Sequence, residues 1–211
     1  MHESGFLRHE PCPRCGSQDN VAVYQNGHKH CHTPGCGYHV TAQGHETEIL
    51  RLPATRFYKA TQRGLLPSTC EKYGVFGGKS PVDNQLYYYF PANEGKTHSY
   101  KIRRAKEKHF RFLTPGMKPL LFGSHVKWGR KPEHYDGVII TEGEFDAMAA
   151  YEMFGTNYVC VSLFGGASGA AKELQRQSNW LWLNQFKTIV LCFDNDEHGR
   201  RAIDDCVKVV D

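Results

Sequence analysis

A chain of 211 residues can hold one medium domain and a small satellite and can bury roughly 70% of its unfolded surface, which excludes a peptide or a miniprotein held by disulfides alone. Hydrophobic residues at 40% and charged residues at 23% exclude global disorder; no apolar run approaches the ~18 residues of a membrane helix and the polar start from Met1 to Glu10 has no secretory core, so a soluble cytoplasmic protein with no membrane partner is expected. The net charge of +4 hides a division, because between Lys96 and Lys131 eleven lysines and arginines face one acid, Glu107, and the remainder is net acidic; a basic block between acidic flanks suggests a polyanion held near a site that uses carboxylates.

Residues 1–40 are rich in Cys, His, Gly and Pro and too poor in large aliphatic side chains to build a core unaided. Four of the eight cysteines crowd here, as Cys12-Pro-Arg-Cys15 followed by Cys31 and Cys36, while Cys70, Cys160, Cys192 and Cys206 are scattered. That split points to a metal site plus buried thiols. Tetrahedral Zn²⁺ takes four soft ligands at about 2.3 Å, and a Cys-x-x-Cys turn presents two of them. One structural zinc on Cys12, Cys15, Cys31 and Cys36 is therefore expected, its binding energy standing in for the missing core. The four-residue gap between Cys31 and Cys36 leaves open a metal-free cysteine group, or a site in which His30, His32 or His39 replaces Cys36. Four thiolates leave no open coordination position, so any role beyond folding falls to Tyr24, Asn26, His28 and Lys29, which otherwise form an ordinary polar hairpin tip.

Residues 41–53 are polar and read as a linker, and a basic region extends over 54–135. Phe57–Gln62 and Ser68–Tyr73 are expected to be short helices, with Ser68 as an N-cap. Leu86–Phe90 and Thr97–Arg103 form the strands of a hairpin across Pro91, Asn93 and Gly95. Within the basic block, Lys101, Arg103, Arg104, Lys106, Lys108 and Arg111 are interleaved with Tyr100, Phe110 and Phe112. Cations that track phosphates beside rings that stack on unpaired bases suit single strands or nucleotides better than duplex; the plainer alternative is a solvated loop of like charge. Lys101 and Arg103 share one strand face by the period of two.

From 136 onward, apolar runs Val138–Thr141, Tyr158–Leu163 and Thr188–Phe193 alternate with helical patterns at Phe145–Phe154, Ala170–Asn184 and from Arg200. Such alternation predicts a parallel sheet covered on both faces. Glu142 follows the first run, Asp194 and Asp196 follow the third, and Asp146 lies four residues beyond Glu142. Carboxyl ends of parallel strands share one edge, where such sheets bind ligands, and acids gathered there repel unless a cation joins them. Hard oxygen ligands select Mg²⁺ or Mn²⁺, which points to phosphoryl or nucleotidyl transfer. Helix N-terminal acids serving only the macrodipole are the alternative for Glu142 and Asp146. The turn Phe164-Gly165-Gly166-Ala167-Ser168-Gly169 either approaches a phosphate or is a plain connection, and no P-loop occurs.

The order of parts, a four-cysteine ribbon, a linker, a basic region, a Thr-Glu-Gly-Glu-Phe-Asp stretch and a Phe-Asp-Asn-Asp-Glu-His-Gly stretch, resembles the primase half of the bifunctional primase-helicases of T7-type bacteriophages, and the last third resembles a TOPRIM fold. Arg63-Gly64-Leu65 and the Ser162 to Ala171 loop belong to the same resemblance. It implies an α/β protein, an N-terminal zinc ribbon joined to a TOPRIM-type parallel-sheet domain over 136–211 that is C-terminally incomplete. The implied activity is synthesis of short oligoribonucleotides from ribonucleoside triphosphates on single-stranded DNA, in a host cytoplasm and beside a helicase domain or separate helicase chain. By position, Glu142 and Asp146 match the first acidic motif, Asp194 and Asp196 the metal-binding pair, Lys101 and Arg103 basic residues near the incoming nucleotide, and His28 a template-reading residue of the ribbon. Three features depart from the family pattern: the wider second cysteine pair, the missing acidic motif after the last helix, and the missing helicase half. A non-catalytic DNA-binding module, similar to recombination mediators that join a zinc site to a TOPRIM domain, is the competing reading.

Overall fold

The computed structural model describes residues 5–13, 15–33, 36, 38–42, 52–53, 55–60, 63–80, 84–106, 110–114 and 117–210. It divides into two compact units, residues 1–52 with 80–84 and residues 53–79 with 85–211. The expected linker falls largely on 43–51, outside the described residues.

The first unit is a four-stranded antiparallel sheet in chain order, β1 (Phe6–Glu10), β2 (Val21–Tyr24), β3 (Lys29–Cys31) and β4 (His39–Val40). Alternation along β2 turns Val21 and Val23 onto the cysteines, with Cys12, Cys31 and Cys36 buried beside them. His9, Ala22, His30 and His39 are in register across the four strands. The β2–β3 turn requires a left-handed residue, which Gly27 supplies at φ +83°, and Asn26 Oδ1 accepts the His28 N–H at 3.0 Å.

The second unit opens with α1 (Pro67–Tyr73). Leu66 is its N-cap and Pro67 takes the first turn, where a missing N–H costs nothing, so Ser68 lies inside the helix and the expected cap is corrected. Gly74 ends it at φ +66°. The helix expected at Phe57–Gln62 is also corrected. Phe57 exchanges backbone hydrogen bonds with Gly77 and Ala60 bridges to Leu65, while 61 and 62 lie outside the described residues. An antiparallel sheet follows, in order β5 (Phe76–Lys79), β6 (Leu86–Glu94), β7 (Thr97–Arg104) and β8 (Phe110–Phe112). The hairpin of β6 and β7 is as expected and longer, whereas β5 and β8 add strands that the pattern did not single out.

Three parallel strands complete the unit, ordered β10-β9-β11: β9 (Gly137–Thr141), β10 (Tyr158–Ser162) and β11 (Ile189–Cys192). β9 is central and buried at every residue, which is why its sequence runs Val-Ile-Ile without alternation. Val138 and Ile140 face a core with Leu174, Leu183 and Cys206, and Ile139 faces the opposite side with Ala150 and Cys160. The helices are α2 (Glu144–Phe154), α3 (Ala170–Leu174), α4 (Gln177–Leu183) and α5 (Glu197–Val210). The single helix expected over Ala170–Asn184 is two. The buried Asn179 donates to the Glu173 carbonyl at 2.8 Å and accepts the Leu121 N–H at 3.1 Å, so its side chain takes a carbonyl that a continuous helix would use. A second core, with Tyr73, Phe90, Phe122, Phe145 and Met148, joins α1 and the antiparallel sheet to α2.

Candidate active site and metal centre

In the ribbon, the four sulfurs of Cys12, Cys15, Cys31 and Cys36 lie within 4.8 Å of one another. Cys12 and Cys36 are 3.5 Å apart and Cys15 and Cys31 are 3.8 Å apart, close to the ~3.8 Å edge of a tetrahedron with 2.3 Å zinc–sulfur bonds. Cys36 therefore belongs to the set, and none of the histidines takes its place. The Ser17 and Thr33 hydroxyls lie against Cys15 and favour its thiolate, lowering it to about 5, while burial pushes Cys36 up to about 12. A divalent cation is what allows all four to ionise together.

His28 instead stacks on Tyr24 with centroids 5.0 Å apart, its Nε2 2.8 Å from His39 Nε2. Lys29 is tied to Glu10 at 2.9 Å. Asn26 and Lys29 are thus occupied in holding the hairpin, and Tyr24 with His28 forms the ribbon's aromatic surface.

In the second unit, the parallel register sets Thr141 level with Cys192 and Ser162, so the residues after β9 and β11 emerge at one edge. Glu142 Oε1 accepts the Asp194 N–H at 3.0 Å. Asp196 caps α5, accepting the Gly199 N–H at 2.8 Å, and this bond holds its carboxyl below the usual range. Asp146 lies in the first turn of α2, close enough to the others for charge to be felt. Burial first, then Asp194, Asp196 and Asp146, raise the Glu142 carboxyl. Burial and Asp194 raise Asp146, against the pull of Arg63 and Arg103. All four expected acids thus share one edge. The shelf is open: among the described residues, the four thiols are the one set of three or more candidate ligand atoms that closes to within 4.8 Å. An open oxygen shelf suits Mg²⁺ or Mn²⁺, which keeps several waters.

Two glycines make room for it. A side chain at Gly143 would meet Asp146 Oδ2 at 2.6 Å, and one at Gly199 would strike the Asp194 carbonyl and reach 3.0 Å from Glu142 Oε1. Gly199→Ala should push α5 away from the β9 edge, costing about 1–3 kcal/mol as overpacking does. Urea unfolding would show that loss, and the Asp194–Glu142 bond would open with it.

Lys101 and Arg103 do lie on one face of β7, but Lys101 is buried. Its ammonium bonds Glu144 Oε1 at 2.6 Å and the Phe164 carbonyl at 2.8 Å, beneath the Phe110 ring at 3.9 Å. Burial raises the Glu144 carboxyl, and Lys101 opposes the shift. Sequence reasoning missed Glu144 as a partner; its one signal was an acid two residues beyond Glu142. Arg63, felt by Asp146, was noticed only as part of a motif. Lys101→Met should strand a buried carboxylate and cost about 3–5 kcal/mol, most of which the double variant Lys101→Met with Glu144→Leu restores. Chemical denaturation of both variants checks this.

The glycine loop after β10 has its first amides already filled. The Phe164 and Gly165 N–H groups donate to the two carboxylate oxygens of Glu173 at 2.9 and 3.1 Å. The plain-connection reading holds for these two amides.

A family model described as Toprim-like matches residues 139–211. A DNA helicase/primase of Enterobacteria phage T3 is 32% identical over 229 aligned positions that take in 99% of this chain and 38% of the relative, so the chain spans well under half that relative's length. Among solved structures, the primase fragment of the bacteriophage T7 primase-helicase protein matches with a TM-score of 0.62 and 31% identity, covering 98% of this chain and 87% of that one. A chain in a structure of the T7 lagging-strand DNA polymerase, interacting with primase domains of two gp4 subunits bound to an RNA/DNA hybrid and dTTP, matches at 0.61 with 32% identity over 74% of this chain and 76% of that one. None of these relatives favours the recombination-mediator reading. The ribbon of four thiols, the acidic strand edge and the likeness over nearly the whole chain lead to one conclusion: this chain belongs to the family of bacteriophage primase-helicase primase domains.

Proposed function

We propose that this chain is a DNA primase that joins ribonucleotides into short primers along single-stranded DNA for replication. The observation that carries the reading is the Glu142 carboxylate accepting the Asp194 N–H, because it draws acids from two strand ends to one edge within a family of primases. The 3′-hydroxyl of one nucleotide attacks the α-phosphorus of the next; a phosphodiester bond forms, pyrophosphate leaves, and the hydroxyl proton is lost. Asp194 and Asp196 would hold Mg²⁺ or Mn²⁺, with one Asp196 oxygen kept for its cap. The bound ion supplies charge neutralisation on the transferring phosphate. Glu142, raised by its neighbours, serves as proton acceptor or further ligand, and Asp146 completes the acidic edge. Arg103 faces the triphosphate with Arg63, while Lys101 sits one layer deeper and fixes Glu144.

The ribbon carries one structural zinc, and His28 on Tyr24 reads the template by stacking. Domain boundaries at 40, 53 and 135 follow from this reading. A helicase, fused or separate, is the functional partner, and the setting is the host cytoplasm; among the described residues no helix is long and apolar enough to cross a membrane.

Labelled ribonucleotides incubated with mixed single-stranded templates and Mg²⁺ or Mn²⁺ should yield short oligoribonucleotides. If about six cations contact phosphate, affinity for the single-stranded template should fall roughly 300-fold between 50 and 200 mM salt. Template binding with no product from a folded, zinc-loaded protein would instead identify a binding module.

A further inference from the structure

β7 points Arg103 toward the acidic edge and Lys101 into the buried pair with Glu144, and alternation sends Tyr100 to the opposite face of the same sheet. On that face, a shallow, open depression of about 490 Å³ lies beside the C-terminal end of α1. Phe76 is its floor, buried and stacked on Tyr89 with centroids 4.9 Å apart. The other side of the Phe76 ring is covered by Arg56, whose guanidinium carbon sits 4.5 Å from the centroid. Tyr58 and Tyr100 stand on this floor as steep walls, at 69° and 72° to Phe76.

The polar groups sort by charge. Arg56, Lys72 and Lys127 line the depression against one acid, Glu71, a balance that suits one or two phosphate charges better than a triphosphate. Lys72 is partly engaged, its ammonium 5.2 Å from the Tyr151 ring and 5.3 Å from Trp128. Arg56, Tyr58 and Lys127 are exposed. His125 completes the wall. Its Nε2 lies 2.9 Å from the Tyr73 carbonyl, which can only accept, so Nε2 carries the proton and Nδ1 of the neutral ring is an acceptor. Burial lowers the His125 pKa and keeps it neutral near pH 7.

The Tyr58 and Tyr100 rings, the cations that attract phosphate and a neutral imidazole in the wall together match one chemical class. We propose that this depression is a second nucleotide site, separate from the acidic edge, that takes a nucleotide bearing one or two phosphate charges, either free or as one unit of a single strand. It does not depend on the divalent ion or on the primase reading.

The test is equilibrium binding in the full chain without added divalent cation, in an Asp194→Asn/Asp196→Asn background that silences the acidic edge. The probes are AMP, trideoxyadenylate and inorganic phosphate. A nucleotide probe should bind at least tenfold more tightly than phosphate. Tyr58→Ala and the double variant Arg56→Ala/Lys127→Ala, all at exposed positions, should each weaken it at least tenfold with unchanged thermal melting. Tighter binding of trideoxyadenylate assigns the site to a strand, and tighter binding of AMP assigns it to free nucleotide. The proposal is overturned if neither variant changes binding, or if phosphate binds as tightly as both nucleotide probes.

Discussion

Glu142→Gln should abolish primer synthesis, lowering the rate of nucleotide incorporation at least about a hundredfold, the lower bound for losing a positioned proton acceptor. Glutamine keeps an oxygen where Glu142 Oε1 accepts the Asp194 N–H, so the strand edge stays assembled. Weakening a charge-assisted bond to a neutral one costs about 1 kcal/mol, and one fewer charge beside Asp194, Asp196 and Asp146 returns part of it, because those acids already push the Glu142 carboxyl upward. Stability should therefore hardly change while activity disappears. Incorporation assays run beside thermal melts separate this result from simple unfolding. Product at the wild-type rate would remove Glu142 from the chemistry.

Removing the zinc proposed for the ribbon should unfold it and leave the larger unit standing. Apart from its cysteines, the buried apolar residues of the ribbon among those described are Val21, Ala22 and Val23, and fully burying a valine contributes about 1.5–3 kcal/mol. Structural zinc supplies on the order of 10 kcal/mol. Cys36→Ser, or chelation, should release one equivalent of metal and abolish hydrogen-exchange protection along β1 to β4. Protection along β9, β10 and β11 should persist, since they are held by their own cores. Loss of metal with full protection of β2 and β3 would show that the ribbon folds without it.

How far the chain could be read in advance depended on where the information lay. β9 was legible because a strand buried on both faces reads as a continuous apolar run, as Val138-Ile139-Ile140 does; β10 and the half-exposed β11 carry runs of the same kind. The acids at 142, 194 and 196 were placed correctly for the same reason, since parallel strands bring their carboxyl ends to one edge. The cysteine set was legible in its spacing, yet the choice of Cys36 over a histidine needed the sulfur positions. β5 was invisible. Phe76-Gly77-Gly78-Lys79 is a poor strand by propensity, and it forms because Phe57 and Pro53 pack into the space that side chains at Gly77 and Gly78 would fill. That contact also takes Phe57 out of the helix its local pattern suggested.

The lysine at position 101 marks the boundary most clearly. Local sequence determined the residue types, the apolar runs of the parallel strands, the spacing of the cysteines and the clustering of basic and acidic charge, because each depends on neighbours a few residues away. Only the tertiary structure decided that Lys101 turns inward to Glu144, 43 residues along the chain, that Glu173 fills the glycine-loop amides, and that Gly199 clears the acidic edge. A charge has no fixed partner until the chain folds; burial then makes an unpaired one too costly, and the partner is whichever opposite charge the packing brings within reach.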